Sequence, residues 1–170
     1  MPAARLAKLV CLILVVIAFV DAYHYYPLLP ACMASHFDAA GNANNWQPKQ
    51  AFFELYIGVT ALALVIGFII PRFISVLPAS MINLPHKDYW LAPERRAETM
   101  AFLEIQFAWF GCVFYFLLVC VFAEAMQANL RTPPRVSSAT MLFLLVGFVA
   151  FVIAWSVRLV LRFRRFSACR

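Results

Sequence analysis

Apolar residues in this chain run rather than alternate. Four predominantly apolar stretches, at about 9–26, 52–70, 101–123 and 140–161, are separated by segments that hold every proline except Pro2. Each stretch approaches the roughly 20 residues that a helix needs to cross a bilayer. Backbone groups in lipid must be satisfied within their own segment, so these stretches are predicted as helices rather than isolated strands. The expected fold is an all-α integral membrane protein. It forms one membrane domain over residues 1–170, a four-transmembrane-helix bundle with a short extracytoplasmic hairpin loop. The outer loop spans 27–51 and the inner loop 71–100. Gly58, Ala63 and Gly67 in the second span, and Gly147, Ala150 and Ala154 in the fourth, are small residues suited to close helix packing.

The first span has an alternative. Arg5 and Lys8 precede twelve apolar residues, and Val20-Asp21-Ala22 has the size pattern of a signal-peptide cleavage site. Asp21 and the bulky Phe19 fit that pattern poorly. Tyr23, Tyr25 and Tyr26 instead form the aromatic belt that closes a span at the headgroups. An uncleaved span is the expectation.

Composition agrees with a lipid environment. Apolar residues make up 65% of the chain, against about 45–50% in soluble domains. The net charge of +6 does not point to nucleic acid. Arg158, Arg162, Arg164, Arg165 and Arg170 crowd the end of the chain directly after an apolar run, where they suit anionic headgroups. Arg5 and Lys8, and then Arg72, Lys87, Arg95 and Arg96 of the inner loop, share that side. Only Lys49, Arg131 and Arg135 lie on the other. Basic loops stay in the cytoplasm, so both termini are expected there, with 27–51 and 124–139 facing outward.

No ionisable residue falls in the middle of a span. Asp21, Glu54, Glu104, Glu124, Arg158 and Arg162 all sit near span ends, which argues against an ion pump or a midplane substrate site. Glu104 is expected as an interfacial carboxylate near Arg95 or Arg96. The five cysteines form no CxxC, and neither a zinc site nor a disulfide framework is expected. Catalytic motifs such as GxSxG, HExxH and a phosphate-binding glycine loop are missing. No catalytic residue, metal or cofactor is therefore assigned.

The loops hold the candidate chemistry. Gly41-Asn42 can supply the positive φ of a tight turn, pairing Ala34–Asp38 with Asn44–Gln47 in a hairpin cap. Trp46 suits the headgroup level. His36, with Asp38, His24 or Asp21, is too sparse a donor set for a metal. In the inner loop, Pro71, Pro78, Pro85 and Pro93 divide the chain into short pieces. Phe73, Ile74, Val76 and Leu77 read as a segment lying in the interface. Pro93 suits the first position of a helix. His86, Lys87, Asp88, Trp90, Arg95 and Arg96 form an inner-loop candidate, either for a lipid phosphate or acidic partner or as plain anchoring.

Pro30, the run Ser35-His36-Phe37-Asp38-Ala39-Ala40-Gly41, Trp46 and Lys49 resemble the outer-loop signature of a bacterial membrane family of unknown function. That family's domain also forms the N-terminal part of Sdp-type immunity proteins, which protect a producing cell from its own secreted toxin. The resemblance covers about residues 10–60, and Asn83–Arg96 resembles a second element of single-domain relatives. Sdp-type immunity proteins are longer, with a further membrane region. The resemblance implies the bacterial inner membrane and marks Pro30, His36, Phe37, Asp38, Gly41, Trp46 and Lys49 as signature positions.

The expected role is non-enzymatic: binding a peptide, lipid or protein through the outer loop, in an immunity- or sensing-like way. Membrane lipid is an expected partner and nucleic acid is not. The alternatives are a small structural subunit of a larger complex and a membrane enzyme using His36 with Asp38 or Glu54. Phe102, Phe107, Trp109, Phe110, Phe114, Tyr115 and Phe116 would supply the subunit's packing surface.

Overall fold

The computed structural model describes residues 2–164. Arg165 and Arg170 of the basic C-terminal cluster, and Cys169, lie outside the described residues. The elements in order are helix α1 (Pro2–Tyr25), strands β1 (Cys32–Phe37) and β2 (Ala43–Pro48), helix α2 (Lys49–Leu64), a widened π turn (Val65–Ile69) and helix α3 (Ile70–Val76). A 3₁₀ turn (Ala79–Met81), helix α4 (Lys87–Trp90) and the long helices α5 (Pro93–Ala128) and α6 (Ser138–Arg164) follow. Among the described residues, four helical stretches are long and apolar enough to cross a membrane: Ala3–Tyr25, Lys49–Val76, Pro93–Ala128 and Ser138–Arg164. This is the pattern of a multi-pass membrane protein.

The second span corrects the reading of Pro71 as a breaker. A proline inside a helix lacks an N–H and crowds the carbonyl four residues back. Here the turn before it widens, and the Ile70 N–H reaches the Val65 carbonyl, five residues away. The helix then continues through Pro71 to Val76, so Phe73, Ile74 and Val76 belong to the span's last turns rather than to a separate interfacial segment. The same π turn carries Gly67 against α5. A Cβ on Gly67 would stand 2.9 Å from the Gly111 Cα, and one on Gly111 would stand 2.6 Å from the Gly67 Cα. Two facing glycines thus permit a backbone approach that no larger pair allows.

Helix α5 is the hub, with α1, α2 and α6 all packed on it. Near the hairpin the core comprises Met33, Phe52, Tyr56, Tyr115, Val119, Met126 and neighbours. Toward the termini, Ala7 and Cys11 meet Ala108 and Cys112. Of the α5 aromatics offered above as a surface for another subunit, Phe107, Phe110 and Phe114 are used within the chain, whereas Phe116 stays 50% exposed. Phe107 and Phe110 lie 5.7 and 4.9 Å from Trp155, and Phe114 lies 5.7 Å from Phe148. The Trp155 indole N–H donates to the Gln106 carbonyl at 3.1 Å. Among the described residues of α6, only Phe163 is buried. A Cβ on Gly147 would meet nothing within 4 Å, and Ala150 and Ala154 are exposed. The small-residue stripe of α6 therefore serves no contact within the chain, whereas Ala63 and Gly67 of the second span are buried.

Candidate functional site

The hairpin joins α1 to α2, and the 129–137 loop joins α5 to α6 beside it. Strands β1 and β2 are antiparallel, with Met33 opposite Gln47, Ala34 opposite Trp46 and His36 opposite Asn45. This is close to the pairing expected from the turn, with irregularities on either side of His36. Gly41 takes φ +85°, the left-handed conformation that glycine tolerates. Its carbonyl accepts from the Val136 N–H at 3.0 Å, and a Cβ there would stand 2.3 Å from the Val136 carbonyl oxygen.

Most polar signature residues fix this shape. Asp38 Oδ1 accepts from the Asn42 backbone N–H at 2.8 Å, and Oδ2 accepts from the Asn42 side-chain amide at 3.2 Å. The Asn42 N–H holds the Asp38 carboxyl below its ordinary pKa, because bonds to the charged form favour it. Lys49 Nζ donates to the Tyr26 and Leu29 carbonyls, both at 3.0 Å. It also stands 4.6 Å from the Tyr26 ring centroid, so it satisfies carbonyls just past the end of α1, where a cation is favoured. Pro30 is exposed, in the approach between α1 and β1. Phe37 is half-buried.

The residue that ties the hairpin to the helices was not visible in the sequence. Asn129, buried just past the end of α5, accepts from the Ala34 N–H at 2.7 Å and donates to the Ala34 carbonyl at 3.0 Å. It donates also to the Ala125 carbonyl at 2.8 Å. Its amide pairs with β1 as a neighbouring strand would. Arg135 adds bonds to the Ala40 carbonyl at 3.1 and 3.4 Å. Glu124 accepts from the Ser137 N–H at 2.8 Å, holding the second loop in place. An asparagine at a helix end ordinarily signals only a C-terminal cap, and nothing local connects it to Ala34.

His36 and Trp46 remain on the surface, and Trp46 is 51% exposed. Glu54 Oε1 accepts from Gln50 Nε2 at 2.8 Å. The bonds of Asp38 and Glu54 thus run to Asn42 and Gln50 rather than to His36. Among the described residues, no group of three His, Cys, Asp or Glu is placed to hold a metal ion.

At the opposite end the inner-loop candidates divide. Arg95 Nε donates to the Tyr89 carbonyl at 2.8 Å, and its guanidinium lies 3.8 Å from the Tyr89 ring centroid. Arg96 donates to the Ser75 and Leu77 carbonyls, closing the end of α3. Trp90 is buried, its indole N–H 3.3 Å from the Phe163 carbonyl. Arg162 lies over the Trp90 ring and pairs with Glu98 at 2.9 Å. The Arg95 and Arg96 bonds shown do not run to Glu104. His86, Lys87 and Asp88 line a shallow pocket with Ser80 and Asn83, apart from the two arginines. The bonds of the two arginines thus run to backbone carbonyls, while His86 and Lys87 line that pocket.

Beneath the hairpin lies a groove of about 1180 Å³ between α1 and α2, floored by Tyr115 of α5. Its walls include Val15 and Phe19 on one side and Phe53 and Ile57 on the other. Tyr56 lines it, 3% exposed and stacked on Phe122 at 4.5 Å, with no protein hydrogen-bond partner for its buried hydroxyl.

A family described as a domain of unknown function, DUF1648, matches residues 13–60. The match begins within α1, takes in the whole hairpin and ends at Thr60 of α2, so it covers most of both groove walls. Neither a curated protein nor a solved structure matches the chain.

Proposed function

We propose that this chain is a non-enzymatic protein of the bacterial inner membrane that displays its hairpin outside the cell membrane. There the hairpin binds a peptide, protein or lipid in an immunity- or sensing-like role. The observation that carries this reading is the division of labour in the signature. Asp38, Gly41 and Lys49 hold the backbone, and Asn129 clamps it from α5. His36 and Trp46 are left exposed on a fixed frame. A rigid frame lowers the ordering cost of binding, and tryptophan is a common interface anchor. The placement of Arg72, Lys87, Arg95 and Arg96 on the termini side supports cytoplasmic termini and an outward hairpin.

The test is co-purification from native membranes, comparing wild type with His36→Ala and Trp46→Ala. A partner retained by wild type and lost from both variants supports the reading. Unchanged partners and growth phenotypes in both variants would sink it.

A second reading, a small subunit of a larger complex, draws on α6. Phe143, Val146 and Ile153 are exposed beside the unused small-residue stripe. A monodisperse monomer in mild detergent, with no co-purifying subunit, counts against it.

A further inference from the structure

The loop between α5 and α6 carries two cations with no counter-charge. Arg131 and Arg135 line one opening of about 450 Å³ with Ala40, Val136, Ser137 and Ser138. Arg135 donates from Nε and Nη2 to the single Ala40 carbonyl. Arg131 donates only to the Arg135 carbonyl, at a long 3.5 Å. A guanidinium has five N–H donors, so most donors of both side chains have no protein acceptor among the described residues. The ion pair found among those residues is Arg162–Glu98, at the other end of the bundle. The acids of the adjoining segments are turned elsewhere: Glu124 accepts from the Ser137 N–H and Asp38 from the Asn42 N–H. Neither lines the opening. Two like charges over one opening repel each other, and an anion between them relieves that repulsion.

The frame around the arginines is already fixed. The Val136 N–H donates to the Gly41 carbonyl at 3.0 Å, and the Ser137 hydroxyl caps the Thr140 N–H at 3.2 Å. A preformed site lowers the ordering cost of binding. The amino end of α6 adds its own positive polarity to that of the guanidiniums.

Position identifies the anion. The opening lies where two membrane-spanning helices end, after Ala128 of α5 and at Ser138 of α6. That is the level of the headgroups, and arginine forks match phosphate oxygens in pairs. From Ser138 inward, Leu142, Leu145 and Val149 follow at helical spacing on one face of α6. They are 62, 57 and 47% exposed, an apolar track that begins at the opening.

We propose that Arg131 and Arg135 bind the phosphate of one anionic phospholipid, with an acyl chain along Leu142, Leu145 and Val149. His36 and Trp46 are not on this lining, so the site is separate from the exposed hairpin surface. It also holds whichever side of the membrane the hairpin faces.

The test titrates the full chain in mild detergent with dioleoyl phosphatidylglycerol and reads bound lipid by native mass spectrometry. Wild type is expected to bind a first lipid more tightly than later ones, and more tightly than dioleoyl phosphatidylcholine. Arg131→Gln should weaken that first binding about ten- to a hundredfold, the range for one charge-assisted hydrogen bond. Arg131→Lys keeps the charge without the fork and should fall between. Arg135→Gln should also weaken binding. It gives up the Ala40 bonds as well, so circular dichroism reports folding, and Arg131→Gln stands alone should Arg135→Gln unfold. Arg5→Gln with Lys8→Gln removes two charges at the other end of α1 and should leave the first binding unchanged. Undiminished binding by folded Arg131→Gln would overturn the proposal. So would an equal loss in the Arg5 and Lys8 variant, which would mean general charge attraction. Displacement of the lipid by an equal concentration of soluble glycerol phosphate would assign the opening to a free phosphate ester and overturn the lipid.

Discussion

Replacing Asn129 by alanine strips the clamp from the hairpin. Ala34 is wholly buried, and both its N–H and its carbonyl bond to the Asn129 side chain. A buried backbone group left unpaired costs about 1–3 kcal/mol, so two groups bracket the loss at about 2–6 kcal/mol. The lower part of that range applies, because the hairpin can open locally and rehydrate both groups. A loss of about 3 kcal/mol corresponds to a roughly hundredfold rise in the opening equilibrium. Hydrogen exchange of the detergent-solubilised protein, read on peptides covering 31–48, measures it. Those peptides should lose protection about a hundredfold, while peptides from the middle of α5 keep theirs. Wild-type exchange across β1 in a folded Asn129→Ala protein would refute the clamp.

Three further outcomes follow from the same geometry. Gly41→Ala strains a φ of +85° and drives a Cβ toward the Val136 carbonyl, so the same peptides should lose protection together with 132–138. Gly111→Ala forces α5 away from the π turn of the second span; overpacking of this kind costs about 1–3 kcal/mol, and the melting temperature in detergent should fall. Asp38 has a folded pKa held below its unfolded value by the Asn42 N–H. Its stabilisation is fully present above the unfolded value of about 4 and is lost as pH falls through the folded value. Hairpin exchange should therefore speed up in acid once corrected for intrinsic rates, and Asp38→Asn should remove Asp38's share of that dependence.

The spans were legible because twenty-residue apolar runs have few alternatives, and the hairpin because Gly41-Asn42 lies between pairable segments. Pro93 opening α5 was legible for a similar local reason: a missing N–H costs nothing at a helix start. The extension through Pro71 was hidden, because the compensating π turn depends on how closely Gly67 can approach Gly111, 44 positions away. Asn129 and Arg135 were hidden for the same cause, since their partners in the hairpin lie 95 positions distant. The aromatics of α5 were visible as a surface, but only packing reveals that Phe148, Phe151 and Trp155 of α6 meet them.

The central claim is that the hairpin stands outside the membrane and the 77–92 loop inside. Labelling of intact cells with a membrane-impermeant maleimide tests it, using Asn44→Cys or Asp88→Cys, both exposed positions, in chains with the native cysteines replaced. Asn44→Cys should label in intact cells, and Asp88→Cys only after the membrane is permeabilised. The reverse pattern would place the hairpin in the cytoplasm and contradict the account.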